Sequence, residues 1–262
     1  GFTGPAQTNG KGKPLLEAMG VTVAAHGSLA AGTNTLTALT AEYLRRMSAA
    51  GEMVLGIPYM ARLGNASARV PAMVMNVLPL RVAASEGSVE SHCRALGRQL
   101  SQGRKHGRYR GEQLRRDLGL VGAQQRLHGP LVNVQPFYRP LAVAGVQATL
   151  EVLCTGPVDD LTLGFRGDGQ QLLDLEIEAN PALYTAQDLQ AHAQRLLHFV
   201  SAALQAEDIG DVPLATPEEA QQVLHGFSAT DHPLPHTTLA ELLRQGMDRD
   251  PQAPALVLGA QT

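Results

Sequence analysis

The stretch "LTLGFRGDGQQLLDLEIE", residues 161–178, limits what this chain can fold into more than any other. Leu161, Leu163 and Phe165 alternate with polar or small residues, and Leu173, Leu175 and Ile177 do the same beyond a turn at Gly167–Gly169. A period of two places each set on one face of an extended strand, and the Gly-Asp-Gly segment lets the chain reverse. Two such strands pair as an antiparallel hairpin whose apolar face needs a cover. A helix follows. Thr185 and Asp188 have capping-box spacing, and Leu189, Ala193, Leu196, Leu197, Val200 and Leu204 give the helix they open one apolar stripe.

Upstream, Leu36, Leu39, Tyr43, Leu44 and Met47 recur at helical spacing, which predicts an amphipathic helix over roughly 34–49, ended by Gly51. "MVLGIPYMARLG" follows as a strand and loop. "PAMVMNVLPLRV", residues 71–82, is nearly all apolar around one polar side chain, Asn76. Runs of that kind belong to sheets covered on both faces. Val89, Cys93, Leu96 and Leu100 mark a second helix, which runs into the basic, Gly-broken "GRKHGRYRGEQLRRDLG"; "GPLVNVQPF" and "VQATLEVL" read as further strands. The expected fold class is α/β, in the form of a mixed α+β sheet with flanking helices, over residues 15–207. Residues 208–236, rich in Pro, Asp and Thr, form a linker packed in part on the domain, with one short helix begun by Thr216, Pro217 and Glu219. Residues 237–262 bring a helix, a Pro-bounded turn and the first strand of something else. Residues 1–14 are polar and Gly-rich, a flexible start, and an opening Gly in place of Met is expected of an excised piece of a longer protein or a cleaved product.

Composition removes several function classes. Aromatics make up 4% of the chain, with no Trp, which argues against stacking surfaces for single-stranded nucleic acid. A net charge of −3 gives no global basic field for DNA. No apolar run approaches the roughly 20 residues needed to cross a bilayer, and the first residues lack the apolar core of a signal peptide. Cys93 and Cys154 are too few for a disulfide framework or a cysteine-rich zinc site, so reduced thiols in a cytoplasmic protein are expected. There is no Gly-x-Ser-x-Gly elbow, P-loop, His-Glu-x-x-His or Rossmann glycine fingerprint. The nine histidines, none adjacent, are expected on the surface or on helix faces and not around a metal.

The order of the pieces says more than any one of them. "LTALTAEYLRRMSAAGEMVLGIPYMARLG" followed by "VPAMVMNVLPLRV" resembles the helix, "vGxPvxgR" strand and "vgxfvNtlPLR" motif of nonribosomal peptide synthetase condensation domains. "RRDLG…LHGPLVNVQPF" is similar to the family's next signature, and "TGPVDDLTLGFRGDGQQLLDLEIEANPALY" with the helix after it resembles the closing hairpin and helix. "PLPHTTLAELLRQGMDRDPQAPALV" looks like the opening of an adenylation domain. The resemblance runs from about Leu15 to the C-terminus, and siderophore-type synthetases match best. It implies a chloramphenicol acetyltransferase-like fold: two lobes in a V, with a tunnel between them. A substrate on the phosphopantetheine arm of a carrier protein enters at each end, and an amine attacks a thioester to form an amide. The family's hallmark, His-His-x-x-x-Asp-Gly, is absent. Asp168-Gly169 is the one Asp-Gly present; Leu163 and Gly164 stand where the two His would be, and a hairpin turn asks for Asp-Gly on backbone grounds alone. The chain is therefore expected to be the C-terminal lobe only, inactive by itself, with the N-terminal lobe, peptidyl or aryl carrier proteins and an adjoining adenylation domain as partners.

The resemblance puts Asn76 on the tunnel wall; the plain alternative is a core amide paired with backbone at a strand irregularity. Arg81 is either half of an interface ion pair or a solvated strand-end charge. Between Arg94 and Arg116 eight cations face a single acid, Glu112. Such a run is either a solvated helix face or, centred on Arg104, Lys105, Arg108 and Arg110, a docking surface for a phosphopantetheine-bearing carrier protein. Two further functions fit the same sequence: a non-catalytic carrier-binding or interdomain scaffold, and a CoA-dependent acyltransferase of the same fold.

Overall fold

The computed structural model describes residues 22–24, 28–29, 32–60, 69–72, 74–84, 86–120, 126–136, 141–148, 158–167, 173–231, 233, 237–254 and 257–259. The expected flexible start at 1–14, the Asp168-Gly169 turn and Cys154 lie outside these residues.

The first elements are β1 (Thr22–Ala24), β2 (Ser28–Leu29), α1 (Thr33–Met47), β3 (Glu52–Met60), β4 (Met75–Ala83), α2 (Val89–Arg104) and α3 (Gly111–Asp117). They are followed by β5 (Leu131–Gln135), β6 (Leu141–Val143), β7 (Val146–Ala148), β8 (Leu161–Arg166), β9 (Leu173–Ala179) and α4 (Ala186–Ala203). Among the described residues the main sheet runs β1-β9-β8-β5-β3-β4, with β2 also paired to β9. β3–β4, β8–β9 and β1–β9 are antiparallel, whereas β5 lies parallel to both β3 and β8. The expected mixed sheet with flanking helices is what the chain forms. β6 and β7 make a separate small hairpin, turned by Ala144 and Gly145 at φ 50° and 84°.

The β8–β9 hairpin has the register its alternation demands, Leu163 opposite Ile177 and Phe165 opposite Leu175, all four fully buried. The Thr185 hydroxyl and Asp188 carboxylate form the expected capping box of α4. The stripe of α4 is rotated slightly from the expected one: Phe199 and Ala203 are buried, and Leu204 is 46% exposed.

Helix α1 departs further from expectation. Its nine residues from Leu36 to Leu44 are all buried, because it packs against α2 and α4 on its flanks and the sheet beneath. Burial takes in the Glu42 carboxylate, which is bonded by both Nε and Nη2 of Arg45 at 2.8 and 2.6 Å. A buried carboxylate is tolerated when it is paired in that bidentate way. The next residue, Arg46, lies over the Phe199 ring and donates to the carbonyls of Ile209 and Val212. Ile209 and Val212 are themselves buried, so the start of the expected linker packs on the domain.

Strand β4 corrects the reading of its apolar run. Among the described residues it is the edge strand, paired with β3 alone, and of its residues Leu80 and Val82 are buried while Met75 is 56% exposed. The apolar composition serves one covered face and one open face, where two covered faces were expected.

Two compact units divide at Glu218 and Glu219. In the second, the helix Leu239–Arg249 opens with a capping box of Thr238 and Glu241, and Leu239, Leu243 and Met247 are exposed on it.

Candidate functional site

Tyr59 and Asn76 face each other in the β3–β4 register, next to the outer end of both strands. They share a face with Leu55, Leu80 and the paired Ile57 and Leu78, so both side chains emerge on the side that carries the helices. There they meet the turn between α2 and α3. The Asn76 amide donates to the carbonyls of Gly107 and Tyr109 at 3.0 and 2.7 Å, and its Oδ1 accepts from the Gly111 N–H at 3.4 Å. Both donors of the amide are thereby used on backbone. The Tyr59 ring lies on Gly107 so closely that a Cβ there would sit 2.0 Å from Cε1. On the far side of the turn the Tyr109 hydroxyl donates to the Asp117 carboxylate, which also accepts from Gln113 at 2.7 Å. The Tyr109 hydroxyl is the main cause holding the Asp117 carboxyl below its usual range.

Beside Asn76 opens a groove of about 310 Å³, bordered by Val77, Glu112, Arg115, His128 and Asp159. His128 was not singled out by sequence, and no local pattern marks it. Its place depends on a glycine 72 positions earlier, since a Cβ at Gly56 would fall 2.6 Å from the imidazole. The loop that carries it is fixed to β3 by Gly129 N–H to Val54 O and Gly56 N–H to Pro130 O, both at 2.9 Å. Behind it the Tyr184 hydroxyl donates to Asp160 at 3.0 Å; burial first and that carboxylate second push the phenol up to about 12. A second cavity of about 450 Å³ lies under α1 and α2, walled by Ile57, Leu78, Leu80, Leu100, Val132 and Val134.

The structure places the four cations singled out from sequence together. Arg104 ends α2, and Lys105, Arg108 and Arg110 occupy the turn that Asn76 holds. All four are exposed, and none is in an ion pair among the described residues. Arg94, by contrast, pairs with Glu90, and Arg81 pairs with Glu52 on the surface of the β3–β4 edge. Cys93 is a free thiol pushed up by burial. Among the described residues no group of three or more His, Cys, Asp or Glu is placed to hold a metal ion, and no helix is long and apolar enough to cross a membrane.

A mixed sheet with flanking helices is the fold this chain shares with condensation domains among the solved structures. The family model described as "Condensation domain" matches residues 19–224, and the chain belongs to that family. It is 42% identical over 200 residues to the dimodular nonribosomal peptide synthase of Bacillus subtilis (strain 168), covering 74% of this chain and 8% of that protein. It is 38% identical over 228 residues to enterobactin synthase component F of Escherichia coli O157:H7, covering 86% of this chain and 18% of that protein. Among solved structures, a mutant starter condensation domain of rhizomide synthetase in complex with C8-CoA superposes with a TM-score of 0.66 at 33% identity, over 75% of this chain and 47% of that one. The first condensation domain of the CDA synthetase superposes with a TM-score of 0.63 at 30% identity, over 78% of this chain and 45% of that one. The chain thus spans under half of each of these solved domains and under a fifth of each of these curated relatives.

Proposed function

We propose that the chain supplies the C-terminal lobe of a nonribosomal peptide synthetase condensation domain, acting in amide formation of the siderophore type. In that reaction the amine of an aminoacyl thioester on one carrier protein attacks the carbonyl of an acyl or aryl thioester on another. The C–N bond forms, the C–S bond breaks, and the proton lost by the amine ends on the departing thiol. The observation that carries the reading is the combination of family membership over residues 19–224 with coverage of about half of the solved condensation domains. The remaining half, and a His-His-x-x-x-Asp-Gly motif that this sequence lacks, belong to a complementary lobe. The groove at Asn76 and His128 then forms part of the tunnel wall, with the Asn76 side chain shaping it while its donors stay on the turn. Arg104, Lys105, Arg108 and Arg110 fit a partner that carries a phosphopantetheine phosphate, because their charges are exposed and, among the described residues, unspent on acids. The phosphopantetheine is borne by the carrier. Residues 237–262 open an adenylation domain, and the protein works in the cytoplasm.

Supplying the complementary lobe in trans with two loaded carrier proteins tests this. Product amide, followed by mass spectrometry, is expected only when both lobes are present. Amide formed by this chain alone would overturn the half-site reading. No product from an intact pair of lobes that still binds both carriers would favour the non-catalytic scaffold.

A further inference from the structure

We propose that Asn76 is a positioning residue: together with Tyr59 it clamps the turn between α2 and α3 onto the sheet edge and so aims Arg108 and Arg110 at the carrier partner. The proposal rests on the docking role given above to those cations. Its geometry stands on three independent contacts. Asn76 spends both amide donors on the carbonyls of Gly107 and Tyr109, which flank Arg108, and its acceptor on Gly111, which follows Arg110. Tyr59, its partner in the register, presses its ring on Gly107, a buried residue with no room for a side chain. Tyr109 is tied down a second time through Asp117.

The turn therefore has every other main-chain step fixed while the arginines between those steps are exposed, with no acid among the described residues to hold them. That arrangement suits presentation. A guanidinium on a fixed backbone loses less freedom on meeting a phosphate than one on a loose loop. It also explains the residue type at 76. Only an amide supplies two donors and an acceptor in one plane; a carboxylate has no donor for the two carbonyls, and an alkyl group has none at all.

Binding of the intact 262-residue chain to a fluorophore-labelled carrier protein, in its phosphopantetheinylated form, tests the proposal by anisotropy. Arg108→Ala with Arg110→Ala should weaken binding about tenfold, and Asn76→Ala should weaken it by a similar factor. Combining all three should weaken it no more than the arginine pair does, since Asn76 acts through them. The nearly isosteric Asn76→Asp should behave as Asn76→Ala, and Tyr59→Leu should weaken binding in the same direction. Amide exchange at residues 105–111 should quicken in each of the Asn76 and Tyr59 variants, with the thermal midpoint read alongside to exclude general unfolding. Multiplying effects of Asn76 and the arginines, or wild-type binding by Asn76→Asp, would overturn the clamp. An arginine pair variant that binds as tightly as the wild type would instead sink the docking reading itself.

Discussion

The two ends of the sheet are held by different forces. At one end β8, β9 and α4 follow one another in the chain and bury Leu163, Phe165, Leu175, Ile177, Leu196 and Phe199 completely. At the other, β3 and β4 form an edge with Met60 and Met75 partly in solvent, and the Asn76 amide holds a turn more than 30 positions away. Apolar burial is proportional to area and indifferent to angle, so the first end should suffer most from lost volume. Hydrogen bonds depend on donors and direction, so the second should suffer most from a changed polar atom or a forced contact. One end is held by apolar area and the other by directed polar contacts.

The largest expected effect tests the first end. Phe199→Ala empties a fully buried site against Tyr43 and the Arg46 guanidinium, and should cost about 3–5 kcal/mol in urea denaturation. A loss below about 1 kcal/mol would show that the site collapses freely and the contrast between the ends is overstated.

At the second end, Gly107→Ala drives a Cβ into the Tyr59 ring. A cost of about 1–3 kcal/mol is expected, and Tyr59→Leu in the same chain should recover most of it. Failure of that rescue would separate the glycine from the ring.

Thr185→Ala removes the hydroxyl that accepts from Asp188 N–H at the start of α4, and about 1 kcal/mol should go with it. Helix-end hydrogen bonds would then count at the apolar end too, which sharpens the division into one of degree.

A pH series separates the ends by charge. His192, on α4, has its Nδ1 2.8 Å from the Tyr43 hydroxyl and faces Tyr184, Asp188 and Arg195. Burial first, and Arg195 second, hold its imidazole below the ordinary value of 6.5, against the opposing pull of Asp188. The folded state therefore resists the proton more than the unfolded chain does. The contribution is present in full above about 6.5 and is lost as pH falls through that value and then through the lower folded one. His192→Gln should flatten this part of the stability curve, and a slope that survives the substitution would assign it to another group.

The smallest effect belongs to Arg81→Ala. Its pair with Glu52 is exposed on both sides, so a change of about 0.2–1 kcal/mol, shrinking in high salt, is expected. A larger one would mean that the edge is held by charge as well.

Legibility in the sequence follows the same division. The β8–β9 register, the α4 cap, the span of α1 and the presence of α2 were all readable, because alternation, capping spacing and helical period are local signals. The edge position of β4 was not, because an apolar run looks the same whether one face or two are covered. Nor was the burial of α1 on all sides, which comes from packing against α2, α4 and the sheet, elements distant in the chain. At the candidate site, sequence marked Asn76 and the four cations separately. It gave no sign of Tyr59, Gly107 or His128, whose roles come from contacts across 48 and 72 positions.

The sequence by itself determined the β8–β9 hairpin, the helices α1, α2 and α4, the mixed α/β class and the resemblance to condensation domains, but not β1, β2, α3 or β6; what it determined rests on patterns within a few turns or a fixed order of motifs. Only the tertiary structure decided what Asn76 does. Its neighbours in the chain are apolar, but its partners are the backbone of a basic turn, and no periodicity records which carbonyls an amide will find. Folding a helix and its following turn back over the strand end brings donor to acceptor. Hydrogen bonds so formed are selected by three-dimensional geometry and leave no spacing to read.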